Sequence, residues 1–261
     1  MEIQNLKTIQ GQSCSTSFKE YRLRGMFEIN SNIIRSKGWR YHYYDMNAGC
    51  GFNETANCIG SPLEFLEAMR RTRNTNFRAH FIDHDAEKIL DLEKYVLAGG
   101  YDMDSCVFHH GDNSEMVEYI TQDGAQFGTI LYDPNNNAFP REDMAEIARR
   151  FPKLDLCVSY FATAAKRAGC QPDRAWNFMD YLSNLKPHWM VGKPVGKWQN
   201  MIFKGFGFRL NSSWKSAGMD WFKAKSGEVN PLVRDWLNRA HYTATEYAQQ
   251  QPLVQDELQF V

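Results

Sequence analysis

Four acidic turns stand in order along the first half of this chain: Asp45 in YDMNAGCGFN, Asp83 in FIDHD, Asp112 in HHGDN and Asp133 in LYDPNNNAFP. Each follows a short apolar run. In an open α/β sheet, ligands bind in the crevice outside the carboxyl ends of parallel strands, so polar turns recurring there would line one pocket of the kind that holds a nucleotide-type cofactor. The first turn carries Asn47, Ala48, Gly49, Gly51 and Phe52, and its G-x-G spacing lets backbone approach a ligand where a Cβ would collide. It lacks the third glycine of the dinucleotide fingerprint and the G-K-[ST] of a P-loop, which weighs against NAD and nucleoside triphosphates. Asp83, followed by His84, ends the next strand, where a carboxylate can accept both ribose hydroxyls of an adenosine. Asp112, flanked by Gly111 and Asn113, could meet an adenine amino group, although G-D-N-S is also ordinary helix-capping chemistry.

The fourth turn is the most specific. Asp133-Pro134-Asn135-Asn136-Asn137-Ala138-Phe139-Pro140 begins with a rigid Asp-Pro pair that presents a carboxylate and fixed backbone carbonyls, backed by three amides able to donate and accept. His84, His109 and His110 lie next to the proposed pocket, but none has metal-ligand spacing to a second His or Cys on one helix face. No metal site is expected. The six cysteines form no C-x-x-C pair and read as reduced thiols. Cys50 and Cys58 flank the glycine turn, either as a redox pair or as small residues fitting their turns.

These turns must be positioned by regular elements, and strand-like and helix-like periods alternate along the chain in the manner of βαβ units. Strands are expected over residues 40–46, 77–82, 105–109, 128–132, 154–160, 187–192 and 199–206. Helical spacing falls between them: Leu63, Leu66 and Met69 within 62–72, Ile89, Leu92 and Val96 within 84–98, and Met144, Ile147 and Ala148 within 141–151. Ser61 before Pro62 suits a helix cap, and Gly99-Gly100 suits a helix stop. After Pro231 a short amphipathic helix over 232–247 precedes a Gln-rich end. The organisation is an N-terminal extension (1–37), a main domain (38–225) and a C-terminal helix and tail (226–261).

A chain of 261 residues with 43% hydrophobic and 23% charged residues suits one large α/β domain. No apolar stretch approaches a membrane span, and the amino terminus lacks the basic start and apolar core of a secretory signal, so a soluble, cytoplasmic setting is expected. The net charge of -1 is unevenly spread. Residues 1–140 hold 13 Lys/Arg against 19 Asp/Glu, residues 141–225 hold 15 against 7, and residues 226–261 hold 2 against 5. The basic middle segment also carries 14 aromatic residues, a combination that suits phosphates and stacked bases, or else a solvated outer face over an aromatic core. Lys166, Arg167, Lys193, Lys197 and Lys204 are its candidate phosphate contacts.

The order of glycine turn, acidic second strand, G-D turn and D-P turn resembles a class I S-adenosylmethionine-dependent methyltransferase. More narrowly, D-x-x-A-G-x-G with Gly60-Ser61-Pro62, the D-P-N turn, Ala165-Lys166-Arg167 and the stretch from Trp189 to Phe203 resemble the three-Cys-motif partner proteins, over about residues 38–225. The resemblance implies a Rossmann-like fold, a seven-stranded, mostly parallel sheet with helices on both faces. It implies S-adenosyl-L-methionine as cofactor, with the turn from Asp45 to Phe52 cradling its methionine part, Asp83 on the ribose and Asp112 near adenine. Asp133 then faces the methyl acceptor, an amine nitrogen of a nucleic-acid base, DNA or RNA. In amino-directed nucleic-acid methyltransferases this turn usually reads [DNS]-P-P-[YFW]; here Asn135 and Asn136 occupy the third and fourth positions, and Phe139 is the aromatic further along. The alternatives are a cofactor-binding partner or regulatory protein without catalysis, acting with a protein partner, and a methyltransferase for a small molecule or protein.

Overall fold

The structure is a computed structural model, and it describes residues 16–53, 57–112, 115–134, 139–161, 172–192, 200–206, 221–225 and 228–229. All seven expected strands are present, as β1 (Tyr41–Asp45), β4 (Phe77–Asp83), β5 (Cys106–His110), β6 (Gly128–Tyr132), β7 (Leu154–Phe161), β8 (His188–Gly192) and β9 (Asn200–Gly205). An eighth, β10 (Trp221–Lys225), joins them at one edge, and a two-stranded ribbon, β2 (Phe52–Asn53) with β3 (Cys58–Ile59), follows the glycine turn. The main sheet runs in the order β10-β8-β9-β7-β6-β1-β4-β5. The neighbours β5, β4, β1, β6 and β7 are parallel, while β9 runs antiparallel between β7 and β8, and β10 is antiparallel to β8.

β1 explains why periodicity alone suffices for the centre of this sheet. All five of its residues, YHYYD, are buried, as a strand covered on both faces must be. The helices split into two layers. α1 (Thr16–Ser36), α2 (Ser61–Thr72) and α3 (Ala86–Ala98) cover one face, where Leu23, Phe27, Phe65 and Leu92 meet Tyr41, Tyr43 and Phe81. α4 (Met116–Gln122), α5 (Arg141–Arg150) and α6 (Pro172–Leu185) cover the other, where Met116, Met144 and Leu182 meet Tyr44, Ile130 and Val158. α1, in the stretch expected as an extension, contributes Leu23, Met26, Phe27 and Ile34 to the first core. It is fastened to α2 by a part-buried ion pair, Arg24 Nε to Glu64 Oε2 at 2.5 Å.

One local expectation is corrected. Ser61 was read as the cap of α2, but Gly60 takes that position and Ser61 begins the helix, which frees its hydroxyl to bond Asp45. Gly99 closes α3 as expected. The helix expected over 232–247 lies outside the described residues. No described helix is long and apolar enough to cross a membrane.

Candidate cofactor and acceptor site

The chain leaves β1 towards β4 and β5 and returns to β6 on the other side of β1, so the order of strands reverses at the carboxyl ends of β1 and β6. Such a reversal opens a crevice. All four acidic turns lie along this edge and are stitched to one another. Met46 N–H donates to Leu131 O (2.9 Å) and Ala48 N–H to Ile82 O (2.9 Å), anchoring the first turn on both flanking strands. Gly49 N–H donates to Asp83 Oδ2 at 2.9 Å, joining the first turn to the second. Gly111 N–H reaches Asp83 O at 3.1 Å, joining the second to the third. Asp133 N–H donates to Asn47 Oδ1 at 3.1 Å, joining the fourth to the first.

The two glycines do different work. Both adopt left-handed backbone, φ +63° at Gly49 and +80° at Gly51, a region costly for residues bearing a Cβ. A Cβ at Gly49 would meet nothing within 4 Å, whereas one at Gly51 would lie 2.5 Å from Leu92 Cδ1. Gly49 therefore presents open backbone to the crevice, and Gly51 presses the turn against α3. The turn continues into the β2/β3 ribbon, closed by Gly60 N–H to Gly51 O at 2.7 Å. Phe52 packs its ring 5.8 Å from that of Tyr95.

Asp45 lies beneath the turn. It is 0% exposed and accepts from the Tyr43 hydroxyl (2.7 Å) and Asn47 N–H (3.2 Å), with the Ser61 hydroxyl as a third partner. Burial pushes its carboxyl up to about 6, against the lowering effect of these donors. Expected as a direct ligand residue, Asp45 is instead fully buried against Tyr43 of β1 and Ser61 of α2 and shapes its turn from below. Asp83 is 7% exposed; Oδ2 takes the Gly49 N–H and Oδ1 the Asp85 N–H at 3.0 Å. A carboxylate offers about four lone-pair sites, so it can still accept from a ligand diol beside these bonds. His84 projects outward, its side chain 85% exposed and Nδ1 3.3 Å from Asp83 Oδ1. Asp112 is exposed at the end of β5, near enough to Asp143 for their charges to interact. Asn113 lies outside the described residues.

These features fit an adenosyl cofactor. The edge offers open left-handed backbone at Gly49, a buried strand-end carboxylate at Asp83 and an exposed acceptor at Asp112. Neither Cys50 nor Cys58 is in a disulfide. Cys58 pairs with Asn53 in the ribbon, while Cys50, in the turn before β2, donates its thiol to Phe52 O at 3.1 Å.

On the acceptor half, Asp133 is half-buried and Pro134 buried. Phe139 stacks on Phe178 (4.6 Å between centroids, 14° between planes), with Tyr160 at 6.4 Å. Asn135 and Asn136 lie outside the described residues, as do Lys166, Arg167, Lys193 and Lys197. Lys204 was expected to contact phosphate and is corrected: it is 0% exposed, with Nζ 2.5 Å from Asp155 Oδ2. Asp155 also accepts from Asn30 Nδ2 at 3.2 Å, within a buried network that includes Thr129 and Tyr41. Lys204 neutralises a core carboxylate and has no path to solvent. Its place within a β-strand pattern gave no sign of this, because the partner carboxylate is 49 residues away in the chain.

Sequence reasoning also missed Tyr43, Tyr160 and Phe178, and it gave Ser61 a capping place but not its bond to Asp45. A second polar cluster escaped it entirely. Asp123 Oδ2 accepts the Tyr44 hydroxyl at 2.8 Å and lies 2.6 Å from His80 Nε2 and 3.8 Å from His42 Nδ1. His80 Nδ1 in turn meets His109 Nε2 at 2.8 Å. Burial, then the neighbouring His80, pushes His109 down to about 4, while the adjacent histidines and the Tyr44 hydroxyl hold Asp123 well below the usual carboxylate range despite its partial burial. Among the described residues no group of side chains could hold a metal ion.

No protein-family model matches the chain, and no curated protein matches it significantly. The narrower resemblance to three-Cys-motif partner proteins therefore rests on the motifs alone. Solved structures do share the fold. Protein LPL1258 from Legionella pneumophila str. Philadelphia 1 superposes with a TM-score of 0.55 at 9% identity, covering 84% of this chain and 99% of that one. The bifunctional kinase-methyltransferase WbdD superposes with a TM-score of 0.50 at 12% identity, covering 78% of this chain and 42% of that one. At these identities the likeness speaks to architecture alone. The chain has a Rossmann-like α/β fold, which it shares with these structures.

Proposed function

We propose that this protein is an S-adenosylmethionine-dependent methyltransferase acting on an amine nitrogen of a nucleic-acid base. The observation that carries the reading is the bond from Asp133 N–H to Asn47 Oδ1, 3.1 Å, which ties the acceptor turn to the glycine turn. Two turns so joined can hold two reactants in a fixed relation, and orientation of this kind supplies much of the acceleration in a direct transfer. Gly49 and Asp83 hold the methionyl part and the ribose respectively, and Asp112 faces the adenine end. Bound S-adenosylmethionine supplies a sulfonium methyl group as electrophile. Asp133 orients the acceptor amine and accepts a hydrogen bond from it as positive charge develops on nitrogen. Pro134 keeps that carboxylate and its backbone in place, and Phe139, backed by Phe178, offers a face to a planar acceptor. The local excess of basic residues over 141–225, with its 14 aromatics, supports a polyanionic acceptor.

The test is calorimetric titration of wild type and Asp83→Asn with S-adenosylmethionine, with NAD as control, followed by transfer of labelled methyl to DNA and RNA. Binding weakened by Asp83→Asn, with transfer abolished by Asp133→Ala, is the expected result. Absence of cofactor binding removes the reading. Binding without turnover on any acceptor favours the non-catalytic partner instead.

A further inference from the structure

The D-P turn leads through Phe139 and Pro140 into α5, whose first residue is Arg141. The guanidinium lies over two rings of α6, with Cζ 5.4 Å from the Phe178 centroid and 5.7 Å from the Tyr181 centroid. The Tyr181 hydroxyl donates to the Arg141 carbonyl oxygen, so backbone and side chain are both held by α6. Phe178 is 4% exposed and also stacks with Phe139. One buried ring thus sets the positions of Phe139 and Arg141 together, on the acceptor half of the crevice.

Arg141 is exposed, and among the described residues no carboxylate lies within ion-pairing distance of its guanidinium. Arg24 pairs with Glu64, Arg71 with Glu67 and Arg150 with Glu146, whereas the exposed Arg35 and Arg149, like Arg141, have no ion pair among the described residues. Its place is also electrostatically unfavourable, since the start of a helix favours acidic residues, and Glu142 and Asp143 in the same turn follow that preference. Those acids form part of a crowded group. Partial burial, then Asp112, Glu142 and Glu146, raises the Asp143 carboxyl above its ordinary value. A cation held over aromatic rings keeps a restricted rotamer at an entropic cost. The planar fork of an arginine so held is pre-organised to take a phosphate through two parallel hydrogen bonds.

We infer that Arg141 anchors a backbone phosphate of the nucleic-acid acceptor, fixing the strand while its base enters beside Phe139 towards Asp133. This rests on the nucleic-acid reading above. It also assigns to Arg141 a role that the buried Lys204 cannot fill.

The experiment measures binding of single-stranded oligonucleotides to wild type and Arg141→Gln by fluorescence anisotropy across a salt series. Uncharged methylphosphonate linkages are placed one at a time through the oligonucleotide, and S-adenosylmethionine affinity is measured in parallel. Arg141→Gln is expected to weaken oligonucleotide binding about tenfold or more, as loss of a charge-assisted hydrogen bond implies. It should also reduce the salt slope by about 0.7, the release expected from one phosphate of a single strand. One methylphosphonate position should weaken wild type and leave Arg141→Gln unchanged, with cofactor affinity equal in both. Equal salt slopes and equal methylphosphonate sensitivity in the two proteins overturn the inference while leaving the nucleic-acid reading intact. Failure of wild type to bind oligonucleotide at low salt overturns that reading and the inference with it. Should Arg141→Gln not fold, the linkage series on wild type decides: insensitivity at every position overturns the anchor.

Discussion

The division of labour between Gly49 and Gly51 can be tested by a thermodynamic cycle. Replacing Gly49 by Ala places a methyl group in open space on left-handed backbone, φ +63°. The cost is the conformational term alone, roughly 1–2 kcal/mol. Gly51→Ala bears the same term at φ +80° and adds a methyl 2.5 Å from Leu92 Cδ1 and 3.4 Å from Leu63 Cγ. Leu92 is 0% exposed and cannot swing into solvent, so overpacking adds about 1–3 kcal/mol. Leu92→Ala removes the clashing atom at its own cost of about 2–5 kcal/mol. The double variant should then be more stable than the sum of the single changes by about 1–3 kcal/mol, the steric term recovered. Urea unfolding of the four proteins measures this coupling. Cofactor titration of the same proteins should show the reverse ranking. Gly49→Ala loses more affinity than stability, because its methyl group occupies the space through which a ligand reaches the turn, and Gly51→Ala loses more stability than affinity. Additivity within about 0.5 kcal/mol in the cycle, or equal losses from the two single glycine variants in both assays, would refute the assignment.

Lys204→Met should destabilise the fold by about 3–5 kcal/mol in urea unfolding, because it leaves Asp155 buried without its cation. Lys204→Met with Asp155→Leu should recover part of that loss, and a surviving Lys204→Met protein should show an unchanged salt slope for oligonucleotide. Tyr43→Phe removes a donor from the buried Asp45 carboxyl, so it should weaken cofactor binding through the turn and lower stability by about 1–3 kcal/mol. Calorimetry and unfolding of the same sample read both effects. The histidine cluster gives a pH signature. His109 is held down to about 4 from an ordinary 6.5, so the unfolded chain binds the extra proton between those values, and stability is lost as pH falls from 6.5 towards 4. Asp45 and Glu64, raised by burial to about 6 and about 7, act oppositely, since the folded state holds their protons more tightly. Their contribution is lost as pH rises from about 4 to 7. His109→Gln should therefore gain stability relative to wild type as pH is lowered from 7 to 5, and a difference independent of pH would exclude the assignment.

The order of the four turns and the seven strands was legible in the chain because each rests on local chemistry. A run such as FRAHFID before HDAEKIL shows its strand, cap and helix within one short window. β10 and the helices α1, α4 and α6 escaped such reading. α4 is only seven residues long, and the apolar stripe of α1 becomes distinguishable only against the core it covers. The site residues divide in the same way. Gly49, Gly51, Asp83 and Asp133 could be chosen from residue type and from their place after an apolar run, since backbone freedom and strand-end carboxylates are properties of short segments. What each residue does with its side chain depended on partners far away in sequence. Asp45 turned inward to Tyr43 and Ser61, and Lys204 met Asp155 across 49 residues. Arg141 came to rest on Phe178 and Tyr181 of another helix. Local sequence carries periodicity, glycine freedom and turn chemistry. Burial decides whether a charge faces water or a buried partner, and burial exists only once the sheet and its two helical layers have closed.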